Sequence, residues 1–286
     1  MTIASSSVLV ELNISVWTAN KVDKRITDNV LVSNGATTTD AGQFKKNLMA
    51  GSSLRKDIAD FAASCRLWHN QMTLPWSDRG PRLLPTSLFI DYKAEANRRK
   101  HQFDHMVMHF MHEYPQLRAN APTFLGAMYD VNDYPSVEEL ADKFGFRMVF
   151  TPLPEAGDFR LDVASEDLEE LRRQYDNSLN ARLNEAMQSQ WDKLHDLLAR
   201  MSDKLKLSLE DEDGKMRWHE TFITNAQDMC QMLTHLNVTK DPKLEQARRN
   251  LEDAIRGVEI ADIKDDLNVR EDVKTKLDNI LKSYAW

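Results

Sequence analysis

The sequence predicts a mainly α-helical protein of α+β type, a long-helix bundle with a small antiparallel β element. Two observations carry that prediction. Residues 165 to 207 (SEDLEELRRQYDNSLNARLNEAMQSQWDKLHDLLARMSDKLKL) contain no Gly or Pro. Leu168, Leu171, Tyr175, Leu179, Leu183, Ala186, Trp191, Leu194, Leu198, Met201 and Leu205 recur there at spacings of mostly three and four, one stripe of a helix. Such a rod is roughly 60 Å long and needs packing partners along it. The second observation is the period-two run Val8, Val10, Leu12, Ile14 and Val16, which reads as a strand with one buried face.

The other elements follow in order. Residues 21–31 suit a short helix, and Asn34-Gly35 marks a turn. Asp40 and Gln43 form a capping-box pattern, and Phe44, Leu48, Gly51, Ile58, Phe61, Cys65 and Trp68 share a face, so a helix is expected over about 41–70. Pro75, Gly80, Pro81 and Pro85 then predict a packed loop without regular structure. A helix over about 87–114 should stop at Pro115. Ser136 and Glu139 open another helix. Residues 146–151 and 158–163 read as a hairpin. After an acidic turn at Asp213-Gly214, helices are expected over 216–236, from Asp241-Pro242 to near Gly257, and from Asn268 onward. The expected division is a mixed α/β region with basic helices, residues 1–164, and a C-terminal bundle, residues 165–286.

Composition narrows the function. The two cysteines, Cys65 and Cys230, lie in helical patterns, as expected for buried free thiols in a reducing compartment. No segment has the length and apolar character of a membrane span, and the N-terminus lacks the pattern of a signal peptide, so no membrane association is expected. The net charge is -8. Residues 1–164 hold 18 Lys+Arg and 19 Asp+Glu, which leaves 19 and 26 for the remainder, so the acid lies in the C-terminal half. With nine glycines and no Gly-rich phosphate loop, nucleophile elbow, H-E-x-x-H or C-x-x-C, the sequence argues against nucleotide-binding enzymes and zincins. No cofactor and no catalytic residue are expected.

Two local patterns are candidate sites. Residues 44–100 carry 11 Lys+Arg against 5 acids. Lys45, Lys46, Arg55, Lys56, Arg79, Arg82, Arg98, Arg99 and Lys100, with Trp76 as a stacking platform, are the candidate contacts to single-stranded nucleic acid. The alternative is that the cations form a solvated face and the tryptophans anchor the core. His101, His105, His109 and His112 fall within about 80° of helical arc, and imidazoles at i, i+4 can share a divalent metal. This row would be the basis of a metal-dependent enzyme. Two of its members cannot complete a tetrahedral site, so Asp104, His69 or a second chain would have to contribute. Polar residues on a wet face are the alternative.

The opening LVELNISVWTANKVDKRIT, the GPRLLPTSLF loop, the passage YPSVEELADKFGFRMVFTPLPEAGDFRLDV and the charged long helix resemble a bacteriophage family known only as a domain of unknown function. Some members are encoded near a MoxR-type AAA+ ATPase. The resemblance implies action in the host cytoplasm with a phage or host protein, among them an AAA+ ATPase, as partner, and it carries no catalytic residue. Together with the long helix it makes a non-enzymatic protein acting through protein contacts and self-association the leading expectation.

Overall fold

The computed structural model describes residues 3–77, 80–154, 165–209, 216–284 and 286. Within them the protein is mainly α-helical with a small antiparallel sheet. The order is α1 (Ile3–Ser6), β1 (Ser7–Ser15), β2 (Asn20–Val22), α2 (Lys24–Ser33), β3 (Lys45–Asn47), α3 (Leu54–Met72), β4 (Arg82–Pro85), α4 (Phe89–Leu125), α5 (Val137–Ala141), β5 (Gly145–Pro152), α6 (Ser165–Leu209), α7 (Thr221–Leu236), α8 (Pro242–Ile255), α9 (Ile260–Asp265) and α10 (Leu267–Ser283). Short 3-10 turns precede α4 and link α4 to α5.

The chain packs as two compact units, one of residues 12–69 and 93–149, the other of residues 1–11, 70–92 and 150–286. This differs from the division expected at 164/165, because segments from both ends of the sequence share one unit.

In the first unit, α3 and α4 supply one core. Ile58, Ala62 and Cys65 of α3 cluster with Phe103, Phe110, Tyr114, Ala121 and Leu125 of α4. The helix expected over 41–70 starts only at Leu54. Lys45–Asn47 instead pairs antiparallel with Asn20–Val22, and Gly51 turns at φ +84°, a conformation no helix continues. Helix α4 also departs from expectation, since it runs through Pro115 and Pro122 to Leu125. Each proline removes a helical hydrogen bond and costs about 3 kcal/mol in a helix interior. Both rings lie on the exposed side, while Tyr114, Ala121 and Leu125 are buried, so tertiary packing holds the helix across the breaks.

In the second unit the last 25 residues of α6 build the core. Leu194, Leu198, Met201 and Leu205 pack with Phe222, Ile223 and Leu233 of α7, Leu244 and Leu251 of α8, and Val273, Leu277 and Ile280 of α10. The apolar stripe of this part of α6 is therefore satisfied within one chain. Asp241 caps α8, with Pro242 at its first position, and its carboxylate accepts the indole N–H of Trp191 at 3.2 Å. Trp191 also packs on Tyr284 and Trp286. The cap of α10 is Asp266, not Asn268, with the short helix α9 before it.

The loop expected over 75–85 contains β4, which pairs antiparallel with β1 through Ser7↔Pro85 and Val10↔Arg82. Strand order is β4-β1-β5, so β4 lies at an edge, where proline's missing N–H breaks no ladder. Strand β5 matches the first expected arm of the 146–163 hairpin, and the second arm lies outside the described residues, as does the Asp213-Gly214 turn.

Candidate functional site

The basic stretch does not form one cationic face. Lys46 is only 6% exposed; its ammonium lies 2.6 Å from the Asp133 carboxylate and 3.6 Å from Asp23, and donates to the Met128 carbonyl at 2.6 Å. Burial disfavours its charge, but Asp133 and then Asp23 outweigh that, and its pKa is raised. Lys46 is thus withdrawn from the expected nucleic-acid contacts. Lys45 is exposed on β3, and Arg55 is half-buried on α3. Lys56 pairs with Asp60, Arg98 and Arg99 with Glu95, and Lys100 with Asp104. Arg99 also covers the Trp68 ring, 4.9 Å from its centroid. Trp76 and Arg82 belong to the other unit, and Arg79 lies outside the described residues. Trp76 is 7% exposed with the Arg182 guanidinium 5.7 Å from its ring centre, so its face is not open to a base.

Arg82 is held by Thr73, its Nε donating to the hydroxyl at 2.7 Å and its terminal nitrogen to the carbonyl at 3.1 Å. Burial lowers its pKa, and burial followed by the nearby Arg82 charge lowers that of Lys193 on α6. Among the described residues neither cation has a carboxylate partner. No sequence pattern links two positions this far apart.

The histidine row is exposed in full, and its surroundings are more informative than the imidazoles alone. Between His101 and Asn120 the exposed residues of α4 are His101, Gln102, His105, Met108, His109, His112, Pro115, Gln116, Ala119 and Asn120. None carries a carboxylate, ammonium or guanidinium group. The charged residues of that span, Asp104, Glu113 and Arg118, lie along its flanks, with the Asp104 and Glu113 side chains 45% and 41% exposed. Asp104 is engaged by Lys100 at 2.5 Å, and Glu113 lies 3.9 Å from His112. Met108 is 68% exposed in the middle of the strip. The buried side of α4, from Phe103 through Phe110 and Tyr114 to Ala121, fixes this rotation about the helix axis.

The imidazoles stand out in the sequence as a periodic row, whereas Gln102, Met108, Gln116 and Asn120 do not. A 100° rotation per residue places all four beside the histidines; Gln102 and Met108 lie within the expected helix but match no motif, and ending that helix at Pro115 left out Gln116 and Asn120. Among the described residues no three His, Cys, Asp or Glu side chains are grouped so as to hold one metal ion. The geometry therefore offers a long, weakly charged helical surface, with two imidazoles at a time in chelating register. No protein family matches the chain, and no curated protein or solved structure matches it either.

Proposed function

We propose that this is a non-enzymatic protein that acts through protein–protein contacts made by the outer strip of α4. The observation that carries the proposal is the strip of uncharged exposed residues from His101 to Asn120, with Met108 68% exposed within it and Asp104 and Glu113 at its flanks. Interface cores are depleted of charged residues and enriched in methionine and aromatic groups, because a surface without full charges is cheaper to strip of water. The self-association expected of the long helix moves to this strip, since the C-terminal part of the α6 stripe is covered by α7, α8 and α10. The nucleic-acid alternative is disfavoured by the carboxylates on Lys56, Arg98, Arg99 and Lys100, each of which a phosphate would have to displace. A bacteriophage setting, the host cytoplasm and an AAA+ ATPase partner belong to the proposal on the sequence resemblance alone.

Affinity purification of the full chain tests this reading when wild type is compared with a Met108→Glu, His109→Glu variant. Wild type should retain a second copy or another polypeptide that the variant loses at unchanged helicity. Recovery of neither, with a strictly monomeric mass at high concentration, overturns it.

A further inference from the structure

We propose that the outer strip of α4 is a divalent transition-metal site completed by a second copy of this chain, with zinc as the representative ion. The inference rests on the protein-contact reading and names the partner and the ligand of that surface.

The spacing of the imidazoles sets the geometry. Side chains at i, i+4 and i, i+3 on a helix are neighbours, with Cβ atoms about 5–6 Å apart, and both can reach an ion that takes nitrogen ligands at about 2.0–2.1 Å. His101 with His105 makes one such pair, and His109 with His112 makes a second. The pair centres are roughly 11 Å apart along the axis at 1.5 Å per residue.

Neither pair finds a third ligand on its own chain among the described residues, so each would leave half of a tetrahedral shell open. Two-fold symmetry fills both halves at once. In an isologous antiparallel helix pair, the centre of the row lies on the axis, and His101 and His105 of one copy face His109 and His112 of the other. The result is two four-imidazole sites per dimer, or one ion per chain.

The rest of the strip permits the approach. His105 lies nearest the axis, Met108, Gln102 and Gln116 are exposed beside the row, and the half-exposed carboxylates of Asp104 and Glu113 lie at its flanks and not among the imidazoles. The charged groups nearest the imidazoles are Glu113, beside His112, and the Lys100–Asp104 pair at the flank.

The test is the mass of the full chain by sedimentation, in EDTA and with a titration of zinc chloride, accompanied by bound-metal analysis. The expected result is a monomer in EDTA and a dimer with one zinc per chain. In a His105→Gln, His109→Gln variant, which disrupts both pairs, zinc affinity should fall at least tenfold and the zinc-dependent dimer should disappear. Zinc uptake without a change in mass, or equal uptake by the variant, overturns the inference. A dimer that persists in EDTA overturns it too, but leaves the protein-contact reading standing. Failure of that reading is seen separately, when Met108→Glu changes neither the mass in EDTA nor the recovered partners.

Discussion

The Lys46 ammonium sits 2.6 Å from the Asp133 carboxylate, joining β3 to the segment between α4 and α5 across 87 residues of sequence. Asp23, which caps α2, completes the network at 3.6 Å, and Asp133 and Asp23 are themselves only 10% and 11% exposed. Lys46→Met leaves two nearly buried carboxylates without their cation. The variant should lose about 3 kcal/mol of stability by chemical denaturation, the usual result of removing one member of a buried pair. A loss below about 1 kcal/mol would mean that the pair is solvent-screened.

Lys193→Met should act in the opposite direction. Burial and the like charge of Arg82 lower the pKa of this lysine, so the unfolded chain binds its proton more readily than the folded one. The penalty is present at neutral pH and fades as pH rises toward the ordinary lysine range. Removing the charge should raise stability by about 1 kcal/mol at pH 7, with a smaller gain near pH 10. Equal or lower stability of the variant at neutral pH would contradict this.

Acid should weaken the helical unit through Glu245. Hydrogen bonds from Arg248, opposed by partial burial and aided by Arg249, pull its carboxyl down to about 2. A depressed acid stabilises the fold above its unfolded pKa and loses that contribution as pH falls toward the folded value. The carboxylate is about one-third exposed, so solvent screening reduces the effect to on the order of 1 kcal/mol. Between pH 4.5 and 2, Glu245→Gln should show a shallower loss of stability than wild type, as measured by thermal melts across that range.

Cys230 should resist thiol reagents until the protein unfolds. It is 5% exposed, and burial pushes its thiol up to about 11, so little thiolate is available at pH 8. Iodoacetamide labelling followed by peptide mapping should find it blocked in native protein and modified in denaturant.

The helical framework was legible in the sequence wherever local signals and packing agree. The uninterrupted run from Ser165, the Asp241-Pro242 start and the alternation after Ser7 all mark elements that exist. Misreadings occur where tertiary contacts override a local signal. Pro115 does not end α4 because Tyr114, Ala121 and Leu125 hold both sides of it in one core. The Asp40–Gln43 pattern opens no helix because Lys46 is drawn to Asp133, and the backbone N–H of Leu48 to the Ala19 carbonyl at 2.8 Å. The candidate surface was half legible: histidine spacing is visible in the sequence, whereas the withdrawal of charge to the flanks of α4 depends on which side of the helix is buried.

Site-specific photocrosslinking from position 108 tests the central claim most directly. With a photoreactive amino acid replacing Met108 in the full chain expressed in cells, a discrete adduct should form with a second copy or another polypeptide. The same probe at the exposed Arg249 of α8 serves as the control. An adduct specific to position 108 is the predicted result, whereas no adduct, or the same pattern from both positions, would contradict the account.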